Sequence, residues 1–367
     1  MQMLDRRRLN RALLDRQLLL RRAELPVTDA VARLAGMQAQ VPQAPYLGLW
    51  SRLAGFTPDR LSDLIADRRL VRAVVMRGTI HLLTVDDYVE FWPLARPVME
   101  RDVTGNTTYG QHRVAGLDLD AVLATGRRLV EQAPRTAVEL RELLAPHWPD
   151  RRPPALAYAV RQLLPLVQVP PRGLWRGTGQ PRFTTIEAWA GRGVAAAPSV
   201  DAMVLRYLAG FGPASVADVQ TWSGLTRLRE VVERLQLRTY RSEDAATLYD
   251  HPDAPVPDPD TPAPVRFLPE FDNTFFSHAD RSRVMADAGY VRRAYNRGMF
   301  LVDGFLRGAW KLQRGRGVAT LTLETFEPLT GGRAAEVEAE AARVAEFLAG
   351  DVPRREIAGL TTGQATL

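Results

Sequence analysis

The sequence predicts a helix-rich α+β chain, and three observations predict it. The first is a weak internal repeat. Pro26-x-Thr28, Pro134-x-Thr136 and Pro213-x-Ser215 each introduce a short apolar segment of helical period, and each comes after another helical stretch. The second is that pairs of short β-like runs stand behind these helices, as hairpins would. The third is a change of pattern near residue 265, after which strands outnumber helices.

In the first copy, residues 4–22 read as a long arginine-rich helix. Thr28 then caps a helix over 29–35, which Gly36 stops. Beyond Gly36 the chain is extended, and Pro42 and Pro45 keep it from turning helical again. Residues 58–67 form a third helix, and 71–76 with 79–83 form a hairpin around Arg77-Gly78. Thr84-x-x-Asp87 caps a further helix running to about residue 100.

The second copy has helices over 119–131, 137–144 and 155–164, then strands over 166–169 and 182–186 around a Gly/Pro/Arg-rich loop. Three helices and a hairpin with a long basic loop make a winged-helix pattern. The third copy repeats it, with helices over 200–209, 216–222 and 225–235 and strands near 237–241 and 246–249. Residues 251–264 are rich in Pro and Asp and read as an exposed linker or loop. Strands over 265–268, 298–302, 305–312 and 318–325 precede a closing amphipathic helix over 334–349. The expected units are therefore residues 1–116, 117–197, 198–262 and 263–367. The first three are three tandem winged-helix motifs around a concave basic channel, and the last is the C-terminal β-rich section.

Composition narrows the function. A chain of 367 residues with 46% hydrophobic residues exceeds one ordinary core. No apolar run reaches about 18 residues and the basic N-terminus lacks a signal-peptide core, so a cytoplasmic protein without a membrane partner is expected. The absence of cysteine excludes disulfides, iron–sulfur clusters and thiolate zinc sites. His81, His112, His147, His251 and His278 show no ligand spacing, so neither a metal nor another cofactor is expected. A net charge of +6 favours a polyanionic partner, and nearly all the cations are arginines, Lys311 being the single lysine.

The stretch Met37-Gln38-Ala39-Gln40-Val41-Pro42 gathers the chemistry. In an extended chain, residues two apart point to one side, so Gln38 and Gln40 present two carboxamides together. On a helix they would lie roughly 200° apart. The helix stop at Gly36 decides between these arrangements. A solvated turn is the plain alternative.

The run Gly36-Met37-Gln38-Ala39-Gln40-Val41-Pro42, with Tyr46-Leu47-Gly48-Leu49-Trp50 after it, resembles the Gln-aliphatic-Gln motif of the AlkZ-type winged-helix DNA glycosylases. The resemblance continues through Arg77-Gly78-Thr79-Ile80-His81-Leu82, Phe211-Gly212-Pro213-Ala214-Ser215-Val216-Ala217-Asp218 and Leu268-Pro269-Glu270-Phe271-Asp272-Asn273, and so covers most of the chain. It implies that Gln38 and Gln40 are a catalytic pair. It also implies hydrolysis of the N-glycosidic bond of an N7-alkylated purine, a bulky adduct or an interstrand crosslink, leaving an abasic site. Such an enzyme serves DNA repair or self-resistance to a genotoxin. The physics suits neutral amides. An N7-alkylguanine is already cationic and leaves as a neutral base. The oxocarbenium-like transition state then needs a positioned water and the negative ends of dipoles.

Related proteins carry aspartate in place of the second glutamine, whereas this chain has Gln40. A monofunctional enzyme is expected, since a lyase needs an amine to form a Schiff base and Lys311 is the only lysine.

DNA contacts are expected from the arginine- and glycine-rich loops, through Arg172, Arg176, Arg314 and Arg316. Arg77 and His81 flank the first hairpin, and Trp310 and Lys311 are placed to meet phosphates. Asn273, His278 and Arg281 lie in a segment resembling the family's channel lining. Asp272 reads better as part of a hydrogen-bonded turn, and Trp50 and Trp92 as core. The expected partner is double-stranded DNA bearing alkylated purines, bound by a monomer. The alternative from another class is a non-catalytic winged-helix regulator, although no dimerisation helix is visible for one.

Overall fold

The computed structural model describes residues 1–108, 114–287, 289–294 and 296–362; His112 lies outside the described residues. In chain order the first elements are β1 (Gln2–Leu4), α1 (Arg6–Arg16), α2 (Val27–Arg33), β2 (Met37–Gln38), α3 (Ala44–Arg52) and α4 (Pro58–Ala66). Next come β3 (Leu70–Val74), β4 (Ile80–Thr84) and α5 (Val85–Gly105). The middle of the chain holds α6 (Leu119–Gln132), β5 (Arg135–Thr136), α7 (Ala137–Leu144), α8 (Pro153–Leu163), β6 (Leu166–Val169), β7 (Arg182–Thr185) and α9 (Ile186–Ala190). It continues through α10 (Val200–Phe211), α11 (Val216–Ser223), α12 (Arg229–Arg234), β8 (Arg238–Ser242) and β9 (Thr247–Asp250). The last part comprises β10 (Arg266–Leu268), α13 (Gly289–Arg293), β11 (Gly298–Val302), β12 (Phe305–Arg314), β13 (Val318–Thr325), α14 (Arg333–Ala349) and β14 (Arg354–Thr362).

Capping fixes many of these helices. Thr84 accepts from Asp87 N at the start of α5. Thr136 with Glu139, and Ser215 with Asp218, form reciprocal capping boxes on α7 and α11. Thr28 does not repeat the pattern. The helix begins at Val27 behind Pro26, and the Thr28 side chain makes no cap bond.

Three further expectations are corrected. Pro45 starts helix α3 instead of preventing one, because it stands in the first turn, where no N–H is needed. Helix α1 ends at Arg16 rather than residue 22, with Leu18 at φ 57° just beyond it. There Arg16 reaches Asp250 and Gln17 reaches Gly210 O, so tertiary partners end the helix where its apolar pattern would continue. Leu4 belongs to β1, which pairs with β8.

The stretch 251–264 is no free linker. Arg7, Arg11 and Arg16 on α1 donate to the carbonyls of Pro259, Thr261 and Pro255 and strap it down.

Three sheets organise the described residues. The first orders as β1-β8-β9, and the C-terminal sheet as β10-β11-β12-β13-β14. Strand β14, parallel to β13, was not expected from the sequence. The middle sheet has the order β2-β4-β3-β6-β7-β5, so antiparallel pairing of β3 with β6 joins the first and second parts of the chain. The largest core gathers Tyr88, Trp92 and Met99 of α5 with Tyr207, Phe211 and Trp222. A separate core packs α14 on the C-terminal sheet through Phe267, Phe300, Trp310 and Val344. Among the described residues no helix is long and apolar enough to cross a membrane.

Candidate functional site

The Gln38 region is built from Gly36 outward. Gly36 has φ +85° and its N–H bonds back to Val31 O at 3.0 Å, which closes α2. A Cβ here would lie 2.6 Å from a Leu83 methyl, so both the backbone angle and the approach of β4 require glycine. The chain then runs extended as β2 against β4, with Met37 opposite Leu82 and Gln38 opposite His81. Ala39 N–H continues the ladder to Ile80 O at 2.7 Å. Met37 and Ala39 are buried, Gln38 is half-buried and Gln40 is exposed. This alternation is the one the sequence predicted.

Gln38 is held, whereas Gln40 is nearly free. The Gln38 carboxamide oxygen accepts from Arg77 Nη2 at 3.2 Å. The same nitrogen lies 3.4 Å from Asn273 Oδ1, and Asn273 Nδ2 donates to Gly36 O at 3.3 Å. Arg77 Nη1 donates to Trp222 O at 2.7 Å. A ring of contacts therefore runs from Gly36 through Asn273 and Arg77 to Gln38. Among the described residues, Gln40 Oε1 receives only Ile80 N–H, at 3.4 Å. Arg77 sits at φ 57° beside Gly78 at φ +69°, a hairpin turn that brings its side chain back over the strands. Burial, with Arg281 nearby, pushes the Arg77 pKa down to about 10.

Beneath the pair lies Arg72 on β3, which is buried. It donates to Ala39 O at 2.7 Å and to Gln168 Oε1 at 2.8 Å. Its two partners are neutral oxygens rather than carboxylates, and burial and Arg172 lower its pKa to about 10. Sequence reasoning missed Arg72, although a charged residue inside the apolar run Val71–Met76 was a usable signal.

The other expected residues divide. His81 is fully buried, and burial with the charge of Arg77 lowers its pKa to about 3, so its imidazole is neutral. His278 is buried too, kept neutral by burial and Arg283, with Nε2 toward Phe211 O at 3.0 Å. Trp310 is core, its indole N–H donating to Leu268 O at 3.1 Å. All three side chains, which the sequence expected to touch DNA, are buried. Asn273 is also buried and serves the ring around Gln38.

Arg281 lies over the Phe276 ring, while Lys311 and Arg316 are exposed on β12 and beyond it. Arg176 and Arg314 both reach the Asp351 carboxylate, at 2.5 and 2.6 Å. Arg172 is half-buried and bonds to Gly179 O. The loop 172–177, expected to project as a wing, is docked on the first part of the chain. Tyr46 OH donates to Gly173 O, Gln43 brackets Leu174 O and Arg176 N, and the Trp175 ring lies 4.9 Å from that of Tyr46. Asp272 holds Arg52 through two bonds of 2.9 and 2.8 Å and caps the next turn, which is the structural role. Among the described residues no group of three or more His, Asp or Glu could hold a metal ion.

The region around Gln38 has counterparts among known proteins. A family model described as DNA glycosylase AlkZ-like matches residues 31–347. A protein of Streptomyces sahachiroi named interstrand DNA cross-link repair glycosylase is 28% identical over 232 residues, and the match spans 58% of this chain and 58% of that protein. The solved structure of the Streptomyces sahachiroi DNA glycosylase AlkZ superposes on 98% of this chain and 100% of that one, with a TM-score of 0.72 and 20% identity. That likeness carries the fold, and the family match covers the Gln38 region, its arginine and the segment through Asn273. The chain belongs to the AlkZ-like DNA glycosylase family.

Proposed function

We propose that this protein hydrolyses the N-glycosidic bond of N7-alkylated purines in duplex DNA and leaves an abasic site. The observation that carries the reading is the holding of Gln38 by Arg77, which Asn273 also meets, with the exposed Gln40 two residues further along the extended chain. A fixed amide and a mobile amide divide the work. The carboxamide of Gln38, oriented before substrate arrives, holds the attacking water at low entropic cost. Gln40 adjusts to the sugar and turns its carbonyl dipole toward the developing oxocarbenium ion. The base leaves neutral, so the reaction needs no acid, in keeping with His81 being buried and uncharged.

The relative's name points to crosslinked substrates, and bulky N7 adducts or crosslinks are the class proposed for this chain. We read the three helix–turn–helix units as winged helices lining one basic channel. Arg281, Lys311 and Arg316 there approach the phosphates of a duplex bound by a monomer. Family membership sets aside the regulator.

The test is incubation of the protein with duplexes carrying N7-methylguanine, a bulky N7 adduct or an N7 crosslink, followed by alkaline cleavage. Strand scission dependent on both protein and alkali is expected for at least one lesion. Intact strands for all three would end this reading.

A further inference from the structure

Pro269-Glu270-Phe271 comes directly after β10 and closes one side of a cleft next to the Gln38 region. Val41, Gln43, Glu270, Lys311 and Leu312 line this cleft, and it shares Ala44 and Pro269 with the narrower cleft that Gln38 lines. Its cavity volume is about 220 Å³, below the roughly 300–1,000 Å³ of drug-sized ligand pockets, so it suits a small charged group rather than a large ligand.

Glu270 is the anomaly in it. The buried carboxylates Asp218, Asp250, Asp272 and Glu340 face Arg283, Arg16, Arg52 and Arg22 respectively. The half-buried Glu270 carboxylate has no ion pair and no hydrogen bond to another residue among the described residues. Lys311 lines the same cleft without pairing to it. Burial raises the carboxyl above its ordinary pKa, which is the cost of leaving it unpaired. In a chain of net charge +6, an unpaired carboxylate in the cleft adjoining that of Gln38 repels phosphate. A cationic ligand reverses that balance.

We infer that Glu270 is the counter-charge of a cation-binding subsite, which receives the positive charge of the N7-alkylpurinium nucleoside and of the oxocarbenium ion it forms. The choice of cation rests on the glycosylase reading, whereas the subsite itself rests on the unpaired carboxylate and the cleft. Two neutral amides then supply water and dipoles, and Glu270 supplies the net negative charge that they lack.

The experiment measures affinity for three duplexes. One is undamaged, one carries a neutral tetrahydrofuran abasic site, and one carries a protonated pyrrolidine analogue at the same position. The wild-type protein should prefer the pyrrolidine duplex over the tetrahydrofuran duplex by roughly tenfold or more, the size of a close charge pair in a partly desolvated site. Glu270→Gln should abolish this preference while binding undamaged DNA as well or better, and Glu270→Asp should keep part of it. Thermal unfolding of Glu270→Gln should be unchanged or shifted upward, since an unpaired charge has been removed. A preference that is absent in the wild type, or that survives in Glu270→Gln, overturns the subsite. Excision of N7-methylguanine is measured in parallel. Absence of excision together with a Glu270-dependent preference would count against the glycosylase reading and leave the subsite standing.

Discussion

Arg77 Nη2 lies 3.2 Å from the carboxamide oxygen of Gln38, while its other terminal nitrogen is anchored to Trp222 O. The arginine therefore sets which way the amide faces before any substrate arrives. A hydrogen bond to a charged group contributes roughly 1.5–3 kcal/mol, so Arg77→Met should slow single-turnover excision about 10- to 150-fold. Arg77→Lys should recover little, because one ammonium cannot reach Gln38, Asn273 and Trp222 together. Undiminished excision in Arg77→Met would show that the orientation of Gln38 does not matter.

Gln38→Ala and Gln40→Ala should each lower the single-turnover rate by about 10- to 150-fold, for the same hydrogen-bond energies. The double variant should lose less than the product of the two, as expected of residues sharing one water. Affinity for undamaged DNA should hold in all three. Gln40→Ala should leave the melting temperature unchanged, whereas Gln38→Ala should lower it slightly through its contact with Arg77. Full activity in the double variant would remove both residues from the mechanism.

Arg72→Met should cost stability and rate together. It strips a donor from Ala39 O and from Gln168 Oε1, and each buried acceptor left unpaired costs roughly 1–3 kcal/mol. Arg72→Lys should recover part of the stability. Calorimetry and single-turnover excision on both variants check this. A stable, fully active Arg72→Met would mean that the buried cation has no part in placing the glutamines.

Stability should fall in two steps as the solution is acidified. Unfolded histidine takes a proton near pH 6.5, whereas His81 in the fold resists until about pH 3, so its contribution is complete above 6.5 and shrinks as pH falls through that window. The loss is about 1.4 kcal/mol per pH unit for one such residue. For Asp272, burial pushes the carboxyl up, but the charge of Arg52 and the bonds from Arg52 and Thr274 outweigh it, and the net shift is downward. Its contribution is present above the unfolded value near pH 4 and is lost only as pH falls below that. Urea titrations at pH 7, 6, 5 and 3.5 should show a first decline between 7 and 5. A flat profile over that interval would contradict a neutral buried His81.

Much of the fold is legible in the chain because the signals are local. Thr84, Thr136 and Ser215 cap helices through bonds to residues three positions on, and Gly36 stops one by its own backbone angle. Alternation alone tells that Gln38 and Gln40 share a side. The features that escape are set by distant partners. The stop of α1 is decided by Asp250 and Gly210, and the strapping of 251–264 by three arginines hundreds of residues away in sequence. Pro45 misleads because proline forbids a helix interior yet suits its first turn, and the sequence does not tell which position it holds. Arg72, Asn273 and Glu270 gain their significance only from what the fold brings next to them.

The pairing of β3 with β6 has a mechanical meaning. Arg72 stands opposite Gln168 across that seam, the loop 172–177 is clamped by Gln43 and Tyr46, and a Cβ on Gly173 would come within 2.8 Å of Arg72. The first and second parts of the chain thus share one continuous beam and cannot hinge there without breaking strand hydrogen bonds.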